Sequence, residues 1–398
     1  MRVLVRPTGF CEERRVRAAA AVLLATALAR AARAAPPDEL VDPLKAIEYD
    51  LYDFAPEEQA VWEESRWSGN AVRLDLGSVT LKELFAVQEA QVNLRALPWL
   101  GFHLDVQDDR TREAEVARFS ADVLLRVAPG VELAVSGTPD VVKQDSAIGG
   151  GLLITSADRT RYAVLRLLDD AAFFNVQNPS GAHRDAPVWR AQAEARWATG
   201  PFSGWARADL GTSNEVRFAG APPRGVQATS DQRSDVDAHF RWAQRGSAAG
   251  VRVTARRLDA ARTAQGEESA LRRGFAYARA YLLTPVLPRL ALRAVALGWK
   301  ERARGLDAGV RYGFSRWDLG GRLGAVWTPL EEWTFEAGYV RVHSAQDLAG
   351  ASLDRWGDKA YGTVRWAPRE GVWLHFLISH QVTTGAFGGF SGGLQVIF

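Results

Sequence analysis

The sequence predicts an all-β protein: a transmembrane, antiparallel, up-and-down β-barrel of about 18 strands, with about 16 strands as the alternative. Three features of the 398-residue chain predict this fold. Side chains alternate between apolar and polar, short turns recur, and tryptophans cluster near those turns. No stretch reaches the ~20 consecutive apolar residues that a membrane-spanning helix needs, so the class of helical membrane proteins is excluded.

The alternation has a period of two from about residue 71 onward. Gln91, Asn93 and Arg95, for example, alternate with Val92 and Leu94. Further runs of the same kind lie at residues 102–107, 118–127, 189–197 and 235–242. Because successive side chains of a strand point to opposite faces, each run predicts a strand with one apolar and one charged face. A soluble β-sandwich would alternate in the same way, so the period alone does not select the barrel.

Tight turns distinguish the barrel from the sandwich. Eight short polar or Pro/Gly connections recur, at residues 96–98, 128–130, 157–159, 198–201, 244–246, 284–285, 328–331 and 367–370. Longer polar connections, such as Asn214–Arg233 and Asp259–Arg272, lie between them. Outer-membrane barrels have this asymmetry, with tight turns in the periplasm and long loops outside, so we expect the outer membrane of a Gram-negative bacterium.

The strand count follows from the turns. Eight tight turns together with a first and a last strand give eighteen strands. The region Leu306–Trp327 leaves the alternative of sixteen open, since it could be a long loop plus one strand or two strands in changed register.

Tryptophans gather where the membrane interface is expected. Eight of the fourteen lie within about six residues of a predicted tight turn, and tryptophan prefers the interface because its ring is apolar and its N–H needs water. The predicted interface aromatics are Trp99, Trp197, Trp205, Trp242, Trp327, Trp333, Trp366 and Trp373.

The chain divides into three predicted parts. Residues 1–34 have the arginine-rich start, short apolar core and A-x-A site (Ala32-Arg33-Ala34) of a secretory signal peptide, and residues 71–398 form the barrel. Residues 35–70 form an acidic segment; residues 36–70 hold ten Asp and Glu against Lys45 and Arg66, a net charge of −8. This segment is either a solvated periplasmic arm or a plug in the barrel lumen.

The polar face of each strand would line the lumen. Barrels of this size enclose an aqueous channel. The predicted pore-lining residues are Arg95, His103, Asp105, Arg118, Asp122, Arg126, Arg190, Glu194, Arg196, Arg207, Asp209, Asp235, Asp237, Arg241, Arg252, Arg256, Arg322 and Arg365. Their guanidinium groups could bind hydroxyl-rich or anionic solutes, or they could pair with the carboxylates of neighbouring strands.

The sequence predicts no enzyme, no catalytic residue, no cofactor and no metal site. His375 with Ser379 and His380 is the nearest approach to a nucleophile and base, and His375 and Ser379 fit a lumen lining together with Gln381 equally well. No phosphate-binding loop, zinc-ligand spacing or dinucleotide motif occurs. Basic residues do not cluster on one element, so no nucleic-acid partner is expected.

The end of the chain, Phe390 to Phe398, places Phe390, Leu394, Val396 and Phe398 on one strand face. Together with the signal peptide, the acidic segment and the turn at Val326–Trp333, it resembles the β-barrel exporters encoded with bacterial exopolysaccharide pathways. The resemblance implies export of a polysaccharide with periplasmic export proteins as partners, a lipid environment, and Phe398 as the assembly signal for the barrel-insertion machinery. The alternatives are a general or sugar/anion diffusion porin and, less favoured, a barrel enzyme.

Overall fold

The computed structural model describes residues 47, 51, 66–67, 70–76, 86–110, 115–138, 147–158, 160–170, 182–184, 186–218, 226–264, 267–307, 310–348 and 351–397. Within these ranges twenty strand segments form one antiparallel sheet. The segments are β1 (Ala71–Leu76), β2 (Ala86–Leu97), β3 (Leu100–Arg110), β4 (Glu115–Ala128), β5 (Val131–Thr138), β6 (Ala147–Thr155), β7 (Tyr162–Asp169), β8 (Ala182–Arg184), β9 (Trp189–Thr199), β10 (Phe202–Gly211), β11 (Asn214–Phe218), β12 (Val226–Gln244), β13 (Ser247–Ala264), β14 (Glu267–Leu287), β15 (Leu290–Asp307), β16 (Val310–Leu330), β17 (Trp333–Leu348), β18 (Ala351–Arg369), β19 (Val372–His380) and β20 (Phe387–Ile397).

The sheet closes on itself as a barrel. β1 pairs with β2 on one side and with β20 on the other, where Leu74 lies opposite Val396. β10 and β11 both pair with β12, so they are two parts of one barrel strand, and β8 and β9 stand beside them in the same way. The twenty described segments therefore make eighteen barrel strands, which confirms the predicted fold class. The sixteen-strand alternative is wrong, because β16 crosses the doubtful region as one continuous strand.

Eight tight turns join strands at one end of the described barrel, seven of them where the sequence predicts them. The predicted turn at Thr284-Pro285 is wrong: both residues belong to β14, and the turn follows at Pro288-Arg289. Arg289 has a positive φ of 71°, a backbone conformation that is uncommon for arginine and that the sequence therefore does not indicate. Pro285 misled the sequence reading because proline signals turns more often than barrel strands.

The two predicted long connections are also corrected. β11 and β12 take up most of Asn214–Arg233, and β13 and β14 leave only residues 265–266 between them in Asp259–Arg272. Many of the strands from β12 to β18 are 18 to 21 residues long, whereas about 10 residues suffice to cross a membrane. The outer parts of such strands carry charged side chains on the outward face as well, such as Arg257 and Arg272, so their composition resembles that of a loop.

The distribution of polarity is the reverse of that in a soluble protein. On β16 the side chain of Leu323 is 70% exposed, whereas its neighbour Arg322 is 8% exposed. Exposed Leu, Val, Ile and Phe side chains recur on the same outward face of the other strands, while Arg, Asp, Glu and Gln side chains are buried on the inward face. An apolar exterior around a polar interior is the arrangement of a barrel in lipid, and the protein is an outer-membrane β-barrel.

Two tryptophans on β16 mark the width of the apolar band. Trp317 and Trp327 face outward, are 49% and 50% exposed, and are ten residues apart. At about 3.3 Å per residue and a tilt near 40°, this separation is about 25 Å along the membrane normal, the height of the apolar band of such barrels.

Some sequence predictions lie outside the described residues. These are the signal peptide, its Ala32-Arg33-Ala34 site and the terminal Phe398. In the part of the chain that the structure describes, no helix is long and apolar enough to cross a membrane.

Candidate functional site: the barrel lumen

The predicted pore-lining residues lie on the inward face of the wall. Along each strand they stand an even number of positions from buried polar side chains, such as Asp122 and Asp209, or pair with such residues, and therefore face the same side. The side chain of Arg118 lies outside the described part of the structure. Because paired residues of neighbouring strands share a face, the inward residues form continuous rows around the lumen.

Guanidinium–carboxylate pairs dominate the wall from β2 to β7. Arg95 donates from Nη2 to Glu132 Oε1 at 2.6 Å, and Arg126 approaches the same oxygen at 3.6 Å. Arg166 donates to the carboxylate of Asp122, which is buried. The sequence reasoning missed Glu132 and Arg166, although each follows its strand's polar face and could have been found by extending the alternation.

Bidentate pairs continue along the wall from β9 to β13. Arg190 donates from Nε to Asp209 Oδ1 at 2.7 Å and from Nη2 to the other carboxylate oxygen. Arg252 holds Asp237 in the same two-pronged way, at 3.0 and 2.6 Å. Such pairs fix the planes of both groups, which makes them stronger and more rigid than single contacts.

The wall from β14 to β18 holds the most deeply buried pairs. Arg273 Nη2 lies 2.6 Å from Glu301 Oε1, and Arg316 Nη2 lies 2.6 Å from Asp318 Oδ2. Glu336 accepts a hydrogen bond from Tyr361 Oη at 2.8 Å and lies within 3.5 Å of Arg293 and Arg365. Like the four residues of the two preceding pairs, Glu336 was not among the predicted pore-lining residues. The described lumen is thus lined by alternating donors and acceptors, and arginines outnumber carboxylates on this inward face.

An apolar patch interrupts this polar wall on its β13–β19 side. Phe275 and Trp299 stack with ring centroids 4.6 Å apart and planes 10° apart, and Tyr277 is fully buried beside them. The barrel members of the patch are Ala248, Phe275, Tyr277, Tyr281, Val295, Leu297, Trp299, Val340, Val342, Tyr361 and Leu377. These side chains share inward faces with Arg279, Arg293 and Glu336, so the patch belongs to the lumen and not to the lipid surface.

Residues that precede the barrel also lie in this interior. Ile47 and Leu51 pack into the apolar patch and are 0% and 5% exposed. Arg66 and Trp67 are buried against the opposite part of the wall, where Trp67 stacks on His103.

Two of the predicted interface aromatics, Trp205 and Trp373, face the lumen and not the lipid. Trp205 is 6% exposed, lies in register with Arg196 and His239, and stands under the guanidinium of Arg252 at 5.5 Å. Trp373 is in register with the buried Gln395 and so lies on the inward face. Both tryptophans lie on the same strand face as polar lumen residues. The alternation along the strand therefore indicated their direction better than their proximity to a turn did.

The other six predicted aromatics lie at a turn or on outward faces. Trp99 is in a turn, and Trp197 and Trp327 are about half exposed on the outer surface. Trp242, Trp333 and Trp366 share outward parity near turns, with Trp333 and Trp366 stacked at 5.6 Å.

His375, Ser379 and His380, the nearest approach to a nucleophile and base in the sequence, do not form a catalytic arrangement. His375 and Ser379 share the inward face of β19 four residues apart, which is about 13 Å along a strand. Ser379 Oγ instead donates to the carbonyl oxygen of Gly389 at 3.5 Å. His380 points to the opposite face, so these three residues form no hydrogen-bonded relay.

No protein-family model matches the chain, and no curated protein sequence matches it. Among solved structures it is similar to OmpTdeltaL8, a loop L8 deletion mutant of the Vibrio cholerae outer membrane protein OmpT, with 10% identity, a TM-score of 0.38, and coverage of 83% of this chain and 97% of that one. It is also similar to the outer membrane channel DcaP of Acinetobacter baumannii (11%, 0.32, 83% and 96%). A third is Pseudomonas aeruginosa OccK2 (OpdF), solved in complex with glucuronate (14%, 0.33, 82% and 96%). Likenesses this distant carry no inference about the solute.

Proposed function

We propose that the protein is an outer-membrane channel that passes hydrophilic solutes through its lumen. The observation that carries this proposal is the closed ring of strands with charged side chains inside and apolar side chains outside. A barrel of about 18 strands is wide enough to enclose water, and a polar inner wall can line an aqueous path through it.

The proposed solutes are rich in hydroxyl groups. Paired guanidinium and carboxylate groups, such as Arg190 with Asp209 and Arg252 with Asp237, place hydrogen-bond donors next to acceptors. A hydroxyl group both donates and accepts, so it suits such a wall better than a simple ion does. Because arginines outnumber carboxylates on the inward face, we expect a modest preference for anions over cations that fades as salt screens these charges.

Export of a polysaccharide is the more specific form of this proposal, and it rests on the resemblance drawn from the sequence. The lumen supports a diffusion porin for sugars or anions equally well. The two candidates differ in the size of solute that they pass, since an exporter must admit a long flexible polymer.

Liposome swelling separates these candidates. Vesicles containing the purified mature chain are transferred to isotonic solutions of a monosaccharide, a disaccharide and a series of oligosaccharides. We expect swelling with the small sugars; a cutoff within the series supports a diffusion porin, and entry of the longest oligosaccharides supports polymer export. Vesicles that swell with none of the sugars, whether they hold the mature chain or the variant Ile47→Asp with Leu51→Asp, would contradict the channel.

A further inference from the structure

Arg66 lies in an acidic site on the inner wall. Its Nη1 is 3.3 Å from Glu89 Oε1, its Nη2 is 2.8 Å from Asp105 Oδ2, and its Nε is 3.0 Å from Glu194 Oε1. These carboxylates stand on β2, β3 and β9, so one guanidinium connects separate parts of the wall. Arg66 itself is 3% exposed, and a charge so deeply buried is tolerated only where opposite charges surround it.

Trp67 fixes the position of this arginine. Its ring stacks on His103 with centroids 3.9 Å apart, and the guanidinium of Arg166 lies 5.0 Å from its ring centroid. The side-chain amide of Asn93 donates to the carbonyl oxygen of Arg66 at 2.9 Å. Stacking, a cation–π contact and a backbone hydrogen bond together define a shaped site for these two residues.

The apolar patch of the lumen is the second site. A barrel interior is normally polar, so the inward Phe275, Tyr277 and Trp299 would meet water if nothing covered them. Ile47 and Leu51 lie in this patch and are themselves almost completely buried. Mutual burial of apolar surface favours this arrangement over one in which both surfaces are hydrated.

We propose that these two sites hold Ile47, Leu51, Arg66 and Trp67, which precede the barrel in sequence, inside the lumen as the anchors of a plug, and that Arg66 sets the local charge of the pore. The first site accepts Arg66 and Trp67, and the second accepts Ile47 and Leu51. The plug is therefore an internal ligand of the barrel wall, held by ion pairs at one site and by apolar contact at the other. Its effect on conduction rests on the proposed channel function; its position does not.

The position is tested by cross-linking in the full chain. Trp67→Cys combined with His103→Cys, and separately with Glu194→Cys, is treated with a short bismaleimide, with Cys11 replaced by Ser. The matched control combines Trp67→Cys with Phe102→Cys, because Phe102 neighbours His103 but faces outward and is 40% exposed. We expect linked peptides by mass spectrometry in both inward pairs and none in the control. Folded variants, shown by heat-modifiable migration, that give no link in either inward pair would overturn the proposal.

The effect on conduction is tested by placing charges in the apolar site. Ile47→Asp with Leu51→Asp should release the plug and raise single-channel conductance about twofold or more, because buried carboxylates against Phe275 and Trp299 are strongly disfavoured. The control, Ile47→Leu with Leu51→Ile, keeps the site apolar and should conduct like the parent chain. If the charged variant and the control both conduct and their single-channel conductances are equal, the plug is overturned.

The role of Arg66 is tested by reversal potential. Arg66→Gln leaves Glu89, Asp105 and Glu194 without its charge, and rings of carboxylates select cations, so the ratio of potassium to chloride permeability should rise about twofold or more. Arg245→Gln removes the same charge from a tight turn and should leave the ratio unchanged. An unchanged ratio in Arg66→Gln would overturn this role.

The two proposals fail in different ways. A chain that conducts but shows no cross-link and no response to Ile47→Asp with Leu51→Asp keeps the channel and overturns the plug. A chain that cross-links but never conducts, in any variant, keeps the plug and overturns the channel.

Discussion

Ion pairs between residues on one strand are the smallest unit of the lumen. Arg316 and Asp318 are two positions apart on β16 and therefore share its inward face. Arg316 donates from Nε at 2.8 Å and from Nη2 at 2.6 Å, and neither side chain has measurable exposure. Because both charges are removed from water, each depends on the other.

Removal of one partner should therefore be costly. Asp318→Ala leaves Arg316 as a buried charge, and we expect it to lower the free energy of unfolding by about 3 kcal/mol. The double variant Arg316→Met with Asp318→Leu removes both charges and should recover most of that loss. Guanidinium unfolding in detergent, followed by tryptophan fluorescence, measures both; equal losses in the single and double variants would show that the pair is not the cause.

Phe398 is expected to act in assembly and not in packing. The sequence predicts it as the signal for the insertion machinery, so Phe398→Ala should lower the amount of folded barrel in the membrane. Phe387→Ala is the matched control, since this aromatic lies on the same terminal strand and is 48% exposed. Surface level and heat-modifiable migration are the measurements; if both variants assemble like the parent chain, the predicted signal is wrong.

At the scale of the strand, the lipid-facing position sets the cost of a charge. Leu323 faces outward midway between Trp317 and Trp327, close to the middle of the membrane. Leu323→Arg should cost about 2–4 kcal/mol of unfolding free energy, whereas Leu330→Arg, at the turn end of the same strand, should cost at most about 1 kcal/mol. Unfolding in lipid vesicles compares the two variants. Equal costs would mean that Leu323 does not lie near the middle of the membrane.

Strands were predictable where alternation was strict, and most tight turns were predictable because Pro, Gly or Asp lies in or beside them. The turn at Arg289 was not, because proline occurs within β14 and the positive φ falls on an arginine. The ends of β13 and β14 far from their tight turns were predicted as a loop, because charged residues such as Asp259 and Arg272, which form an ion pair across the two strands, occupy them.

The inward apolar patch was missed for a related reason. On β14 the aromatic residues Phe275, Tyr277 and Tyr281 share a face with Arg279, while alanines occupy the outward face. The sequence reasoning assigned the apolar face of every strand to lipid, which fails where the lumen itself contains apolar surface. That Arg279 lies on the same strand face as the aromatic residues was the feature of the sequence that could have indicated an inward position for them.

At the scale of the whole molecule, an exported precursor is expected. The A-x-A site at Ala32-Arg33-Ala34 predicts that the mature chain begins near Ala35 and fractionates with the outer membrane. Mass spectrometry of the N-terminus of the envelope protein measures this directly. A mature form that retains Met1 would contradict the predicted signal peptide, although it would leave the barrel unaffected.

The central claim is that the inward face lines a water-filled path and the outward face meets lipid. Arg241 and Phe240 are neighbours on β12 that face inward and outward, respectively, and Phe240 is 47% exposed. Each is replaced by Cys, with Cys11 replaced by Ser, and single channels are exposed to a charged, membrane-impermeant thiol reagent. We expect the reagent to reduce the current of the Arg241→Cys channel and to leave that of the Phe240→Cys channel unchanged. A silent Arg241→Cys channel beside a reactive Phe240→Cys channel, or no current from either, would contradict the central claim.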